Sequence, residues 1–254
     1  MDIIERIAAE LGIRKTQAES AVALIDAGNT IPFIARYRKE ATGSLDDGIL
    51  RDLGEKLAFY RALEDRRAEV RRLIDEQGKL DEALAASIAA AGTLSELEDL
   101  YRPYRPKRRT RASIAAEAGL APLAARLLEQ EPDCVPEEEA AAYLNPEKGV
   151  ETAEAALAGA MDIIAEQISD DAAVRKWIRA FIWENGSLVT KARTEEDSVY
   201  RMYYDYSEAL RKIPPHRVLA VDRGERAEVL SVKIEADRQA VYRFLNGRFL
   251  ARRP

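Results

Sequence analysis

The sequence predicts a mainly α protein, a multi-helix assembly with a helix-turn-helix-like portion and a small β element near its C-terminus. Three observations lead there. Apolar residues recur every three or four positions over most of the 254 residues. The periodic stretches are short and are punctuated by glycine and proline. Past Pro214-Pro215 the composition turns toward β-branched residues.

In chain order, Ile3, Ile4, Ile7 and Leu11 share one helical face that Gly12 ends, and Ala18, Val22 and Ile25 repeat the pattern before Gly28. Thr30 is placed to cap a third helix, with Pro32 in the first turn, where a missing N–H costs nothing. That helix, IPFIARYRKE, is expected to turn Phe33, Ile34 and Tyr37 inward and Arg36, Lys39 and Glu40 toward water, stopping at Thr42-Gly43. Three short helices of this kind suggest a helix-turn-helix whose third member would offer Arg36, Arg38 and Lys39 to a groove. A generic helical triplet is a weak signal, and the structural reading has Arg36 and Arg38 paired to acids on the next helix with Phe33 and Ile34 in the core. Ser44 is the expected cap of that next helix, a spine running through Ile49, Leu53, Leu57, Tyr60, Leu63, Val70 and Ile74 to Gly78.

A shorter Ala-rich helix spans 81–90, and Thr93 with Glu96 has the spacing of a capping box for the helix after it. Beyond residue 111, helical periodicity resumes in ASIAAEAGL and APLAARLLEQ and breaks at EPDCVPEEE. It returns over 140–144, 151–168 and 169–184. SLVTKA reads as a short strand or extended link, and 195–213 as a helix with Val199, Met202, Tyr203, Tyr206 and Leu210 on one face. RVLAV and AEVLSVKI flank Asp222-Arg223-Gly224-Glu225 and suggest a β-hairpin, although RVLAV also suits the start of a helix.

Composition narrows the function classes. Acids outnumber Lys and Arg 45 to 39, and the formal net charge is −6. Cys134 and His216 are the only residues of their types, which removes disulfide frameworks and zinc sites built from several Cys and His ligands. A Cys134/His216 nucleophile pair has no third residue marked to orient it. The acidic pairs Asp46-Asp47 and Asp170-Asp171 and the run Glu195-Glu196-Asp197 fall at expected helix starts, where carboxylates offset the helix dipole. No Walker loop or GxGxxG is present. The expectation is a chain with no catalytic residue, no metal and no cofactor. MDIIERIAAE has no apolar core of signal-peptide length, and no segment approaches the ~20 apolar residues of a membrane span, so a cytoplasmic location away from membranes is expected.

Against this acidic background, residues 101–111 read YRPYRPKRRTR, with six basic side chains in eleven positions. Pro103 and Pro106 push Arg102 and Arg105 out of the helical region, so YRPYRP is expected to be extended and exposed. Guanidinium groups interleaved with Tyr101 and Tyr104 suit a nucleic-acid backbone, with charge for phosphate and rings for stacking. They also suit a structural strap, its arginines on helix C-termini or on Glu96, Glu98 and Asp99, its tyrosines in the core, and the two readings are not exclusive.

The stretches TIPFIARYRKEATGSLDD, ELEDLYRPYRPKRRTRASIAAEAGL and HRVLAVDRGE, in that order, closely resemble the Tex family of bacterial transcription accessory proteins, relatives of a eukaryotic transcription elongation factor. The resemblance implies a helical N-terminal region with a helix-turn-helix-like portion. It further implies a following resolvase-like domain, tandem helix-hairpin-helix elements and a C-terminal OB-fold RNA-binding domain, with no catalytic site. On that basis residues 1–213 are expected to form the Tex N-terminal-like helical region, and 214–254 the incomplete start of the next segment, cut before the resolvase-like domain.

The expected function is a non-enzymatic module contributing to nucleic-acid or transcription-complex binding. Arg105, Lys107, Arg108, Arg109, Arg111 and Tyr104 are the candidate contacts. RNA or DNA, bound together with the absent C-terminal domains, and the transcription machinery are the expected partners. The alternative is an architectural scaffold or protein-docking module that never touches nucleic acid.

Overall fold

A computed structural model of the chain describes residues 2–106 and 109–250. It divides into two compact units, Met1–Tyr101 and Arg102–Pro254.

The first unit is all helix: α1 (Ile3–Leu11), α2 (Lys15–Asp26), α3 (Ile31–Tyr37), α4 (Asp47–Asp75), α5 (Glu82–Ala90) and α6 (Leu94–Tyr101). The spine expected from the sequence is α4, whose 29 residues extend about 44 Å at 1.5 Å per residue. The other five helices all pack on it. Its buried row is Leu50, Leu53, Leu57, Tyr60, Leu63, Val70 and Ile74, so Leu50 rather than Ile49 opens the apolar face. The cap moves with it. Asp46, not Ser44, is the N-cap, its carboxylate accepting from the Ile49 N–H at 2.8 Å. Buried Leu45 and Leu50 occupy the N′ and N4 positions of a hydrophobic staple, which sets where the helix begins. Ser44 instead takes a φ of 66°, completing the turn that Gly43 starts at φ 63°.

α3 also differs from expectation. It has seven residues, and only Ile34 is buried, while Phe33 and Tyr37 stand at the surface. Arg36 and Arg38 form no ion pair with the spine among the described residues. Ile34 is its one fully buried side chain, and half-buried Ile31 packs on α4 beside it, so close that a Cβ at Gly54 would lie 2.7 Å from Ile31 Cδ1.

Glu10 ties α1 to α4. It accepts from Lys56 Nζ at 2.6 Å, from the Tyr60 hydroxyl and from Arg6 Nε at 3.2 Å. The Lys56 ammonium and the Tyr60 hydroxyl, with help from Arg6, hold the Glu10 carboxyl down at about 2, below its ordinary 4.5. A carboxyl depressed on folding stabilises the fold above its unfolded pKa, and that contribution disappears as pH falls through the folded value. Glu10→Gln is therefore expected to lower stability by about 1 kcal/mol at pH 7, a magnitude set by partial exposure. The gap from the parent should close between about pH 4.5 and pH 2. Urea unfolding followed by circular dichroism across that range checks this, and a gap that stays constant with pH refutes it.

The second unit contains α7 (Arg111–Glu117), α8 (Ala121–Glu129), α9 (Pro136–Ala141), α10 (Ala153–Asp170), α11 (Ala172–Asn185), α12 (Pro215–Arg226) and α13 (Arg238–Phe249), with strands β1 (Ser187–Ala192), β2 (Asp205–Ala209) and β3 (Leu230–Glu235). α7, α8, α9 and α11 pack around α10. Their core is alanine-rich, with Ala112, Ala115, Ala124, Ala140, Ala156 and Ala160 joined by Leu120, Leu123 and Ile163, so helix axes approach closely. The strands form one antiparallel sheet in the order β2-β1-β3, with Thr190 opposite both Tyr206 and Val232. A second core of Leu188, Tyr203, Val221 and Leu230 lies against it.

The small β element thus exists, but two expectations about it are corrected. RVLAV is part of α12, not a hairpin arm: Pro215 opens that helix, and Asp222 through Glu225 continue it. Residues 195–213 do not form a helix. They hold a 3-10 turn at Arg201–Tyr203 and then β2, with Val199 and Met202 exposed and Tyr203 buried. Pairing with β1 overrides the local helical spacing, because ladder bonds and the burial of Tyr203 are tertiary gains that no local window contains. Glu195, Glu196 and Asp197 consequently do not begin a helix. No described helix is long and apolar enough to cross a membrane.

Candidate nucleic-acid interface

The strap begins at the end of α6. At the start of that helix Glu96 completes the cap, its N–H donating to Thr93 Oγ1 at 3.2 Å while its carboxylate accepts from the Gly92 N–H at 2.9 Å, one residue earlier than a strict capping box. Tyr101 is buried in the first unit, with the Arg66 guanidinium 5.3 Å from its ring centroid. Glu98 and Glu69 each accept from Arg66 at 2.6 Å and hold its guanidinium above the ordinary arginine range. Glu98 is thereby committed to the spine.

From Arg102 onward the strap belongs to the second unit. Residues Arg102–Tyr104 form a 3-10 turn, closed by the Arg105 N–H on the Arg102 carbonyl at 3.3 Å, which corrects the expectation of an extended YRPYRP. A helix end commonly tightens this way, and Pro103 can sit in the turn because no N–H is required of it there. Arg102 donates through Nε to Asp170 at 2.7 Å. Asp170 is buried at the last turn of α10, so the base of the strap is pinned by a charge-assisted bond. Tyr104 is half-buried, and Arg105 and Pro106 are exposed. Lys107 and Arg108 lie outside the described residues.

The strap ends in a reciprocal cap on α7: the Ser113 N–H donates to Thr110 Oγ1 at 3.0 Å, and the Thr110 N–H donates to Ser113 Oγ at 2.8 Å. Arg111, whose side chain is 86% exposed, reaches toward Asp162 at 3.4 Å. Arg109 is exposed, and neither it nor Arg105 has an ion pair among the described residues.

These residues enclose a cavity of about 470 Å³ lined by Arg102, Arg105, Thr110 and Arg111 on the strap side and by Asp162, Glu166 and Asp170 on α10. Three cations face three carboxylates, so the cavity is close to neutral. Further positive charge lies outside it, on exposed Arg109. The carboxylates were missed in the sequence reading, although a signal was present: Asp162, Ala165, Glu166, Ser169 and Asp170 are spaced three, one, three and one apart, one continuous helical face. What the spacing does not contain is that this face meets a strap 68 residues away in the chain. Cys134 and His216 have no role in the site, and no group of three or more Cys, His, Asp or Glu among the described residues is placed to hold a metal ion.

Two family models match the chain: the Tex-like protein N-terminal domain over residues 1–75 and the Tex central region-like model over residues 131–250. The chain belongs to the Tex family. It is 49% identical over 243 residues to Protein tex of Bordetella pertussis, an alignment covering 94% of this chain and 31% of the relative. To the transcriptional accessory protein Tex of Neisseria gonorrhoeae it is 44% identical over 238 residues, covering 92% and 31% respectively. To the human S1 RNA-binding domain-containing protein 1 it is 30% identical over 244 residues, covering 92% and 24%. The chain spans under a third of the length of each of these relatives. In this Tex-family chain, α3 and α4 lie within the N-terminal match and α10 within the central one, while the strap falls in the interval between them.

Proposed function

We propose that this part of a Tex-family protein is a non-enzymatic module that contributes to nucleic-acid binding in transcription, with the strap as the contact. Arg105, Lys107, Arg108, Arg109 and Arg111 are the phosphate partners in this reading, and Tyr104 is the stacking ring. The observation that supports it most is Arg105 and Arg109, exposed beside a strap whose base is fixed by Arg102 on Asp170 and which has no carboxylate on either cation among the described residues. Relatives named for transcriptional accessory function and for an S1 RNA-binding domain favour the same reading. Acidity elsewhere, in a chain of net charge −6, would confine polyanion contact to this strip.

A salt titration tests it. Five neutralised phosphates give a log–log slope of about −3.5 for a single strand, and Arg108→Ala with Arg109→Ala should make the slope shallower by about 1.4. The near-neutral cavity behind the strap favours a second reading, a scaffold or protein-docking module that never touches nucleic acid. Binding that is absent, or that ignores salt, selects that second reading.

A further inference from the structure

We propose that α3 forms a separate binding site for single-stranded nucleic acid, in which Phe33 and Tyr37 stack on bases and Arg36, Arg38 and Lys39 contact phosphates. The inference stands independently of the strap, because it uses only residues of the first unit.

Phe33 and Tyr37 are 37% and 65% exposed, with ring centroids 5.2 Å apart. At about 100° per residue, Pro32, Arg36, Phe33 and Tyr37 cover roughly 140° of continuous surface to one side of buried Ile34. Buried Ile34 and half-buried Ile31, which meets α4 at Gly54, anchor the helix, and the two adjacent rings remain partly exposed beside them; paired exposed rings mark recognition surfaces.

The charges around them are unbalanced. The Arg38 guanidinium lies 5.6 Å from the Phe33 centroid, and neither Arg36, Arg38 nor Lys39 has an ion pair among the described residues. The neighbouring acids are mostly committed. Asp46 caps α4, and Asp47 accepts from Arg51 at 2.6 Å, leaving exposed Glu40 against three cations. Arg36 and Lys39 also border an open cavity of about 510 Å³ at the start of α4. Planar rings flanked by unsatisfied cations match a ligand with a planar face and an anionic backbone at each repeat, which describes an unpaired strand. A duplex offers its charge but keeps its base faces stacked, and an acidic peptide uses the cations without needing the rings.

The test is fluorescence anisotropy of the whole chain with a labelled twelve-residue oligothymidine. Phe33→Leu with Tyr37→Leu keeps apolar volume and removes the rings. It should weaken binding about tenfold or more while leaving the salt slope unchanged. Arg36→Ala with Arg38→Ala and Lys39→Ala should make the slope shallower by about 2. An abasic oligomer should bind the parent and the leucine variant alike. Arg105→Ala with Arg109→Ala should preserve the dependence on the rings, which separates this site from the strap. If the double leucine variant melts at the assay temperature, Tyr37→Leu alone gives the readout, since that side chain is mostly in water.

A folded ring variant that binds as tightly as the parent, or a parent that does not bind, overturns the proposal. So does competition by an oligoglutamate peptide with equal dependence on the rings, which would reassign the surface to a protein partner.

Discussion

Leu53→Ala is expected to destabilise the first unit by about 2–5 kcal/mol, the range for removing a fully buried leucine from a core that relaxes only in part. Leu53 is wholly buried, the second of the seven side chains in the α4 row, and α1, α2, α3, α5 and α6 all depend on that helix for a packing surface. The cavity would therefore open inside the one element these five helices share. Urea unfolding followed by far-ultraviolet circular dichroism should show a lower midpoint with little change in slope, because the unfolded surface is the same. Arg51→Ala, on the solvent side and paired among the described residues only with Asp47 one turn earlier, should stay within about 0.5 kcal/mol of the parent. Equal effects at the two positions would mean that α4 is not the spine.

Gly159→Val should destabilise the second unit by about 1–3 kcal/mol, through overpacking rather than a void. A Cβ at Gly159 would lie 2.4 Å from Leu120 Cδ1 and 3.2 Å from Ala115 Cβ. Leu120 is itself buried in the core that joins α7, α8 and α10, so its side chain would have to shift inside a packed cluster. The intrinsic preference of helices for alanine over glycine, up to about 1 kcal/mol, works against the clash, so Gly159→Ala should fall between the parent and valine. Trp177 and Trp183 are the two tryptophans of the chain and both lie in α11, with Trp177 stacked on Phe244 at 3.8 Å, so intrinsic fluorescence follows this unit. α10 also carries Asp162, Glu166 and Asp170, and pushing it from α7 should loosen the strap. A valine variant as stable as the parent would refute close packing at this contact.

Most helices of both units were legible because their information is local. The α4 row repeats at three- and four-residue spacing, Thr93 and Glu96 announce the start of α6, and glycine stops α1 with a φ of 64° at Gly12. Ser44 illustrates the limit of that logic: it is a good capping residue two positions too early, and Leu45 with Leu50 decided the start. At 195–213 the helical spacing was real but the pairing partner lay in β1, and at RVLAV the composition suited two structures. Phe33 and Tyr37 were read as core because apolar residues at helical spacing normally are, and only the tertiary structure leaves them in water.

The strap shows the same division at the candidate site. Its charge, its prolines and its family were written in consecutive residues, and the acidic face of α10 was written in a helical spacing. The joining of Arg102 to Asp170 was not, since a contact across 68 residues depends on how α7 and α10 pack and not on any stretch of neighbours. By itself the sequence determined a helical protein of the Tex family with one dense cationic segment in an acidic chain. Tertiary structure alone decided which of those cations are spent on internal carboxylates and which face water, because a guanidinium finds its partner through space, and burial and distance are properties of the folded chain.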